Sequence, residues 1–400
     1  MEIVGVGRSG YKTDNRKRSS VEIGFSPVWQ ASCEFEGQGR AASTEAGPER
    51  FVRFAWLGVL LSDIGFGDDV VCEIQGCGSR GDEPVILTLT PNPSLDLTYE
   101  LDELVRGEVQ RADSMTVEAG GKGINVTRNL IANGAASQAV APIGGPSGEQ
   151  FVSLIEGVDI ELIQVPVDGA VRMNVSLAEQ DGTGTKVNAP GSRLSEDELD
   201  RMLGKTAEAA RNATWVAVCG SLPPNAPEDL YARVVALARE AECRTAVDSS
   251  GPPLAATLEE GPDLIKPNLE ELSELVGREL TTLGDALEAA KEVRARGVGT
   301  VLVSLGADGA ILLDEEGALH ADTPPFTPRS TVGAGDSLLA GFLFAAGDRE
   351  AALVEAVAWG AAATRLPGSR GPAPGDLDRE AVSLHEEFDM ERKLKGEAPR

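Results

Sequence analysis

The chain changes character near residue 85. Over residues 1–84 apolar and polar positions show no sustained spacing of 2 or 3.6 residues, whereas short apolar runs alternate with helical spacing from Val85 to Phe388. The apolar runs predict strands at Val85–Thr90, Ala139–Ile143, Trp215–Cys219, Thr245–Val247, Asp263–Ile265 and Val301–Ser304. The helical spacing predicts helices at Gly123–Ala132, Glu196–Ala210, Pro227–Ala241, Leu269–Val276 and Asp285–Arg296. Because strands and helices alternate, we expect an α/β fold with a mostly parallel central sheet and helices on both faces.

Two stretches interrupt this rhythm, near residues 96–116 and 172–188. Both alternate polar and apolar residues over short distances, which predicts a small second sheet that covers one edge of the α/β domain as a lid. Residues 1–84 are rich in glycine, serine and charge, so we expect them to be poorly ordered. The charged tail, residues 389–400, is expected to fray.

Charge and composition exclude several classes of function. The chain has 64 acidic and 36 basic residues, a formal net charge of −28, which disfavours nucleic acid or an anionic membrane as a partner. Five cysteines form no paired metal or disulfide pattern, and two histidines leave most chemistry to carboxylates. The longest apolar run, Phe54–Leu61, is too short to span a bilayer, and no signal peptide is evident, so we expect a cytoplasmic protein.

The strongest local signal is the segment Ser330–Phe342. Gly333, Ala334 and Gly335 allow successive backbone N–H groups to point the same way where a helix begins, which favours an anion hole for a phosphate group. Asp336 lies in the first helical turn, where the helix dipole is expected to lower its pKa and keep it ionised as a general base. The alternative is an ordinary glycine loop with an aspartate at a helix start.

A second glycine cluster, Glu118–Asn125, also opens a helix. It lacks the G-x₄-G-K-[ST] pattern of a P-loop, because a glycine follows Lys122. Gly121 would let a sugar approach the backbone, with Lys122 supplying a charge and Asn125 a hydroxyl contact. The alternative is a glycine-rich helix start with a solvent-exposed lysine.

Polar residues also follow other predicted strands. Asp96 comes after the first strand, where parallel sheets bind ligands, and has the geometry to accept hydrogen bonds from sugar hydroxyls. Arg172 begins a lid strand and could clamp a phosphate. Asn268 and Glu271 follow another strand three residues apart, where Glu271 could order water around Mg²⁺. The alternatives are that Asp96 is a turn residue, that Arg172 is a surface arginine, and that Asn268 and Glu271 only cap a helix start.

Together these segments resemble the phosphofructokinase-B branch of the ribokinase-like carbohydrate kinases, over roughly residues 85–388. The motifs that carry the resemblance occur in the family's order: Leu89–Asp96, Ala119–Asn125, Gly220–Pro224, Val247–Ser250, Lys266–Asn268, Val303–Gly306 and Thr331–Asp336. The resemblance implies a three-layer α/β/α sandwich with a small β-sheet lid, and a homodimer formed through the lids. It also implies ATP and Mg²⁺ as cofactors.

The resemblance assigns roles to matching residues. Asp336 would be the catalytic base, aided by Gly333, Ala334 and Gly335. The sugar phosphate would be held by Asp96, Gly121, Lys122, Asn125 and Arg172. ATP would lie near Lys266, Asn268, Ser304, Gly306, Thr331, Gly333 and Gly335. Mg²⁺ would be held through water by Glu271.

The lysine of the Gly-Gly-Lys-Gly loop and the segment Arg172–Asn174 are similar to enzymes that phosphorylate fructose 1-phosphate at O6. The resemblance therefore implies formation of fructose 1,6-bisphosphate and ADP, with tagatose 6-phosphate or fructose 6-phosphate as alternative substrates. A non-catalytic sugar-phosphate sensor is the alternative from another class. The family does not require residues 1–84, so we hypothesise a native start at Val85; a tether formed by these residues is the competing idea.

Overall fold

The computed structural model describes residues 18–26, 29–36, 72–73, 84–181, 183–366, 368 and 370–395. The chain divides into two units, residues 1–83 and 84–400. In the first unit, an antiparallel sheet contains β1 (Arg18–Ser26), β2 (Trp29–Glu36) and β3 (Cys72–Glu73). The run Phe54–Leu61 and most of the extension predicted to be poorly ordered lie outside the described residues, so that prediction and the proposed start at Val85 remain predictions.

The second unit is an alternation of strands and helices, as the apolar pattern predicts. Its strands are β4 (Ile86–Leu89), β5 (Ser94–Leu101), β6 (Ser114–Gly120), β7 (Ser137–Ile143), β8 (Glu161–Pro166), β9 (Arg172–Glu179), β10 (Gly184–Val187), β11 (Trp215–Cys219), β12 (Arg244–Asp248), β13 (Leu264–Ile265), β14 (Thr300–Ser304), β15 (Ala310–Leu313), β16 (Ala318–Asp322) and β17 (Ser383–His385). Its α-helices are α1 (Lys122–Ala132), α2 (Gly145–Glu156), α3 (Glu196–Ala210), α4 (Leu230–Glu240), α5 (Gly251–Thr257), α6 (Leu269–Val276), α7 (Leu283–Arg294), α8 (Ala334–Phe344) and α9 (Arg349–Arg365).

The large sheet has the order β17-β16-β15-β14-β13-β12-β11-β4-β7-β8. Pairing is parallel from β14 through β8, and β15, β16 and β17 add antiparallel strands at one edge. The α/β fold class with a mostly parallel sheet is therefore confirmed. The antiparallel edge was not predicted, because β15 and β16 are short and are joined by a tight turn.

Side chains on the central strands alternate between two apolar layers. Val216 and Val218 of β11 pack into a layer with α3, α4, α5, α6 and α7, whereas Trp215 and Ala217 pack with α1, α8 and α9. This alternation follows from the period of two along a strand and buries both faces of the sheet. The result is a three-layer sandwich.

The smaller sheet, which we call the lid, has the order β10-β9-β5-β6. Parallel pairing of β5 with β9 places Asp96 opposite Asn174 and Leu97 opposite Val175. Since residues two apart share a face, one face of the lid carries the polar residues Ser94, Asp96, Thr98, Arg172, Asn174 and Ser176. The other face carries the apolar residues Leu95, Leu97, Tyr99, Met173, Val175 and Leu177.

The carboxyl ends of the parallel strands lie along one edge of the large sheet. Asp96 follows β4, Asp248 ends β12, Lys266 follows β13 and Ser304 ends β14. Open α/β sheets bind ligands at this edge. The fold thus brings the sequence-predicted residues to a common region.

The charged tail is packed as far as it is described, so the prediction that it frays is wrong for residues 389–395. The backbone N–H groups of Leu283 and Gly284 donate to the carbonyls of Arg392 and Met390, and the Lys395 N–H donates to Asp308. These bonds use the N–H groups at the start of α7, which have no partner within the helix.

The helix that carries Asp336, α8, packs closely against α9 at Gly341. A Cβ built on Gly341 of α8 would lie 2.5 Å from the Glu355 carbonyl oxygen and 2.9 Å from Cγ of Trp359 on α9. We expect Gly341→Ala to lower the free energy of unfolding by about 1–3 kcal/mol through overpacking, measured by urea denaturation. In Gly204→Ala the new Cβ meets open space on α3, so the matched control should gain about 0.5–1 kcal/mol. Equal effects of the two substitutions would contradict the close packing.

Candidate active site

Asp336 lies buried in the first turn of α8, with 6% of its surface exposed. Gly333 precedes the helix with φ of 75°, the left-handed conformation that a glycine adopts without strain. The N–H groups of the first turn have no partner within a helix, so their positive ends face the same region as the carboxylate. Sequence reasoning placed the helix start within a residue of its position.

Lys266 brings a positive charge to this helix start. Its side chain is buried, and its Nζ lies 3.3 Å from where a Cβ on Gly335 would be. The glycine therefore leaves room beside the ammonium group. A negatively charged oxygen at this position would meet both the ammonium and the helix N-terminus.

Asp248 holds two lysines together at the end of β12. Its carboxylate is fully buried, and its two oxygens lie 2.8 Å from Lys122 Nζ and 3.3 Å from Lys266 Nζ. Burial opposes ionisation, but the two ammonium groups outweigh it and hold the pKa of Asp248 below its usual range. Burial also disfavours the charge on Lys122, yet nearby carboxylates raise its pKa, with Asp248 as the largest contributor.

Asn125 and Arg128, both on α1, position the Asp336 carboxylate. Asn125 Nδ2 donates to Asp336 Oδ2 at 2.8 Å, and Arg128 Nη1 donates to Asn125 Oδ1 at 3.0 Å. The arginine therefore fixes the Asn125 amide with its NH₂ group towards the carboxylate. Arg128 also donates to the Ala119 carbonyl, and burial lowers its pKa while nearby carboxylates oppose the shift.

The pKa of Asp336 is raised from 3.8 to about 6, chiefly by burial and then by the negative charge of Asp248. Lys122, the Asn125 hydrogen bond and Lys266 act in the opposite direction. The prediction that the helix dipole lowers this pKa is wrong in direction, because removal from water outweighs the dipole. The carboxylate is still mostly ionised at pH 7, as a general base requires.

Glu271 and Asn268 form a capping box at the start of α6. Asn268 Oδ1 accepts from the Glu271 N–H at 2.7 Å, and Glu271 Oε2 accepts from the Asn268 N–H at 2.9 Å. The helix-cap alternative is thus present, and it uses the amide oxygen of Asn268 and one of the two carboxylate oxygens of Glu271. Burial and the charge of Asp248 raise the pKa of Glu271, which places this carboxylate beside the same charged cluster.

The remaining residues predicted at the nucleotide edge lie along the strand ends. Asn268 forms an isolated parallel bridge with Ser304, whose N–H donates to the Pro267 carbonyl. Gly306 follows with φ of 59° at the start of a 3₁₀ turn over Gly306–Asp308. Thr331 is exposed, and its carbonyl accepts from Ala334.

Asp96 and Arg172 lie on the polar face of the lid. Asp96 Oδ1 accepts from Ser94 Oγ at 2.7 Å and from Asn174 Nδ2 at 2.9 Å. Arg172 donates to the Ala189 carbonyl at 2.9 Å, while burial lowers its pKa and the Asp96 charge opposes the shift. Next to this face Gly121 has φ of 122°, a conformation that L side chains rarely adopt.

Three residues of this arrangement were not assigned by sequence reasoning: Asp248, Arg128 and Asn174. Asp248 lay within a recognised motif, Val247–Ser250, but a single aspartate at a strand end gives no sign of its two lysine partners. Arg128 follows Asn125 by three residues, which places both on one face of a helix. This spacing was the signal that could have identified it.

The arrangement joins a base to a concentration of positive charge. Asp336 lies beside the start of α8, and Lys122 and Lys266 lie on the Asp248 side of the same cluster. Arg128 interacts with both Asp96 and Asp336, so it links the lid residues to the base. Such a site has the means to remove a proton from a hydroxyl group and to stabilise a phosphate.

Comparison with known proteins gives consistent matches. A family model described as "pfkB family carbohydrate kinase" matches residues 90–374. The chain is 36% identical over 256 residues to the 1-phosphofructokinase of Vibrio cholerae, covering 64% of this chain and 81% of that protein. It is also 36% identical over 281 residues to the ATP-dependent 6-phosphofructokinase isozyme 2 of Escherichia coli, covering 70% and 90%.

Among solved structures, the chain is similar to phosphofructokinase-2 from Escherichia coli in complex with substrates and products. The TM-score is 0.70 and the identity 34%, with 73% of this chain and 96% of that chain covered. The family model begins its match at residue 90, so residues 1–84 lie outside it.

The raised pKa of Asp336 predicts a gain in stability when its charge is removed. Ionising a carboxyl whose folded pKa is about 6 instead of 3.8 costs free energy above pH 6, and this cost disappears below pH 3.8. We expect Asp336→Asn to raise the free energy of unfolding by about 1–3 kcal/mol at pH 8, with the gain lost near pH 4. Urea denaturation at the two pH values measures it.

The control is Glu350→Gln, which neutralises an exposed first-turn carboxylate on α9. It should change stability little at either pH. A variant Asp336→Asn that is less stable than the unaltered protein at pH 8 would contradict the electrostatic account.

Proposed function

Because the chain belongs to the pfkB family of carbohydrate kinases, we propose that it phosphorylates fructose 1-phosphate at O6 with ATP. The products are fructose 1,6-bisphosphate and ADP. The observation that carries the proposal is the buried Asp336 carboxylate at a helix start, hydrogen-bonded to Asn125 and close to two lysines.

Asp336 acts as the general base. Its carboxylate accepts the proton of the O6 hydroxyl as that oxygen forms its bond to the γ-phosphorus of ATP and the bond to the β–γ bridging oxygen breaks. A pKa of about 6 makes the base ionised at neutral pH and more basic than an ordinary carboxylate. Asn125 orients the carboxylate oxygens, and Arg128 in turn orients Asn125.

The transferring phosphate group is stabilised at the start of α8. Gly333 and Gly335 present backbone N–H groups there, and Lys266 supplies an ammonium group 3.3 Å from where a side chain on Gly335 would begin. These groups meet the charge that spreads over the phosphoryl oxygens in the transition state. ATP extends from this point along the strand ends that include Ser304 and Gly306, with Thr331 at the rim of the loop.

The charged cluster also fits a magnesium ion. Asp248 raises the pKa of both Asp336 and Glu271, so these carboxylates repel one another and a cation nearby would relieve that repulsion. Glu271, with Asn268 beside it, would hold the ion through water, because Mg²⁺ commonly keeps several waters. When bound, the ion supplies positive charge to the phosphate oxygens of ATP.

The sugar phosphate lies beneath the polar face of the lid. Asp96 accepts hydrogen bonds from sugar hydroxyls and Arg172 binds the 1-phosphate, while Gly121 lets the ring approach the backbone. Lys122, tied to Asp248, adds positive charge at the edge of this pocket. The lysine in this loop resembles that of the family's fructose 1-phosphate and tagatose 6-phosphate kinases, which supports fructose 1-phosphate over fructose 6-phosphate as the substrate.

The protein is proposed to act in the cytoplasm as a dimer. Cys219 and Cys243 are buried free thiols, which suits a reducing compartment. No helix of the described residues is long and apolar enough to cross a bilayer. On the apolar face of the lid, Met115 is 53% exposed and Val187 61% exposed, and a second lid would cover them.

The first experiment compares three substrates on the full-length protein. ADP release is measured with fructose 1-phosphate, fructose 6-phosphate and tagatose 6-phosphate, and we expect the highest kcat/KM with fructose 1-phosphate. Asp336→Asn should lower kcat by roughly 10²-fold or more, while Glu350→Gln should match the unaltered protein. Preference for another sugar phosphate would overturn the substrate, and no turnover with any would favour a sugar-phosphate sensor.

The dimer has a separate test. The mass in solution, measured by size-exclusion chromatography with light scattering, should be twice that of one chain. Met115→Lys combined with Val187→Lys should give monomers, because two charges would be buried in the interface. Val109→Lys, 87% exposed in the loop between β5 and β6, is the control and should remain dimeric. A double variant that stays dimeric would exclude this face as the interface.

A further inference from the structure

Away from the active site, two histidines and an aspartate meet where β17 adds to the edge of the large sheet. His320 pairs with His385 across β16 and β17, and Asp322 lies two residues from His320, so all three side chains share one face. Ligand atoms of His320, Asp322 and His385 lie within 4.8 Å of one another. The chain has only two histidines, and both are in this cluster.

The hydrogen bond of His320 leaves one of its ring nitrogens with a lone pair that a metal ion could use. His320 Nε2 lies 2.8 Å from the Asp308 carbonyl oxygen, which can only accept, so Nε2 carries the hydrogen and Nδ1 keeps its lone pair. Metal-binding histidines commonly donate their other N–H to a carbonyl in this way.

Asp322 and His385 complete a set of two nitrogens and one oxygen. Asp322 Oδ2 pairs with Arg392 at 2.9 Å, and Oδ1 faces His385 Nε2 at 3.1 Å. The simplest interpretation is that Asp322 forms ion pairs with His385 and Arg392, which attach the C-terminal segment to the sheet. These ion pairs involve His385 but give no role to Nδ1 of the buried His320, whose ring stacks on His385 with centroids 5.3 Å apart.

We propose that His320, Asp322 and His385 form a binding site for a divalent transition metal ion such as Zn²⁺. Two imidazoles with one carboxylate suit Zn²⁺, Co²⁺ or Ni²⁺, whereas Mg²⁺ prefers oxygen ligands. Nitrogen and oxygen ligands of tetrahedral zinc lie at about 2.0–2.2 Å from the metal. On metal binding, His385 would carry its ring hydrogen on Nδ1 instead of Nε2, the three atoms would draw inwards by side-chain rotation, and water would fill the fourth position.

A metal here would fasten the C-terminal segment to the sheet. His385 belongs to β17, and Arg392 reaches back from the same segment to Asp308 at 3.0 Å. The Asp308 carbonyl also orients His320, and Asp308 ends the 3₁₀ turn that Gly306 begins. Asp308 thus connects the proposed metal site to the turn Gly306–Asp308, which lies at the carboxyl ends of the strands. The site is distinct from the proposed magnesium position.

Cobalt binding tests the site on the full-length protein. After removal of metals with EDTA and dialysis, Co²⁺ is added without ATP, and its visible absorption and displacement by Zn²⁺ are followed. We expect one equivalent to bind, His385→Gln and Asp322→Asn each to weaken binding at least tenfold, and Glu386→Gln, a neighbouring exposed carboxylate, to leave it unchanged. His385→Gln should keep the kinase activity measured with Mg²⁺, which shows that the variant is folded.

A second readout uses the two histidines themselves. The imidazole C–H proton resonances of both histidines should shift on addition of Zn²⁺ to the unaltered protein, because each ring binds the same ion. Metal binding that persists unchanged in His385→Gln, or that shifts neither histidine's resonances in the unaltered protein, would place the ion elsewhere and overturn the proposal. Absence of any binding to the unaltered protein would overturn it as well.

Discussion

The site depends on one buried carboxylate, that of Asp248. It lies at the carboxyl end of β12 and pairs with Lys122 at the start of α1 and Lys266 after β13. Without it, the buried ammonium group of Lys266 would lose its ion-pair partner, a cost of several kcal/mol. The same negative charge adds to burial in raising the pKa of Asp336, so Asp248 affects both the position of the lysines and the basicity of Asp336.

This local arrangement explains how a chain of formal charge −28 is suited to anionic substrates. Salt screens the acidic surface over roughly 8–10 Å, so the net charge is felt weakly at the site. Inside the cluster, charges lie about 3 Å apart and are removed from water, where their interactions are much stronger. In the proposed function, Lys122, Lys266 and Arg128 therefore supply the positive charge that an anionic substrate meets at the site.

Much of the fold follows from local sequence, because apolar runs and helical spacing record which faces are buried. Glu196–Ala210, Leu269–Val276 and Trp215–Cys219 have the bounds that this spacing predicts. Strands β15 to β17 were missed, since short strands joined by turns lack a distinctive period and pair with distant residues. His385, for example, pairs with His320 from 65 positions earlier in the chain.

Site residues could be predicted where a local motif requires a particular backbone conformation. They could not be predicted where residues far apart in the chain come into contact. Gly333 and Asp336 are recognisable from their own segment. The partnership of Asp248 with Lys122 spans 126 residues and exists only after folding. The direction of the Asp336 pKa shift was wrong for the same reason, because the sequence shows the helix start but not how completely the side chain is buried.

The register of the lid sheet has an evolutionary consequence. Along β9, residues of the polar face alternate with residues of the apolar face, so the proposed substrate contacts and the proposed dimer contacts occupy interleaved positions of one strand. Point substitutions can alter either property separately. A one-residue insertion or deletion within the strand would instead exchange the two faces, turning Arg172 and Asn174 outwards. Families built on such a strand are therefore expected to diversify by substitution and to confine length changes to the connecting loops.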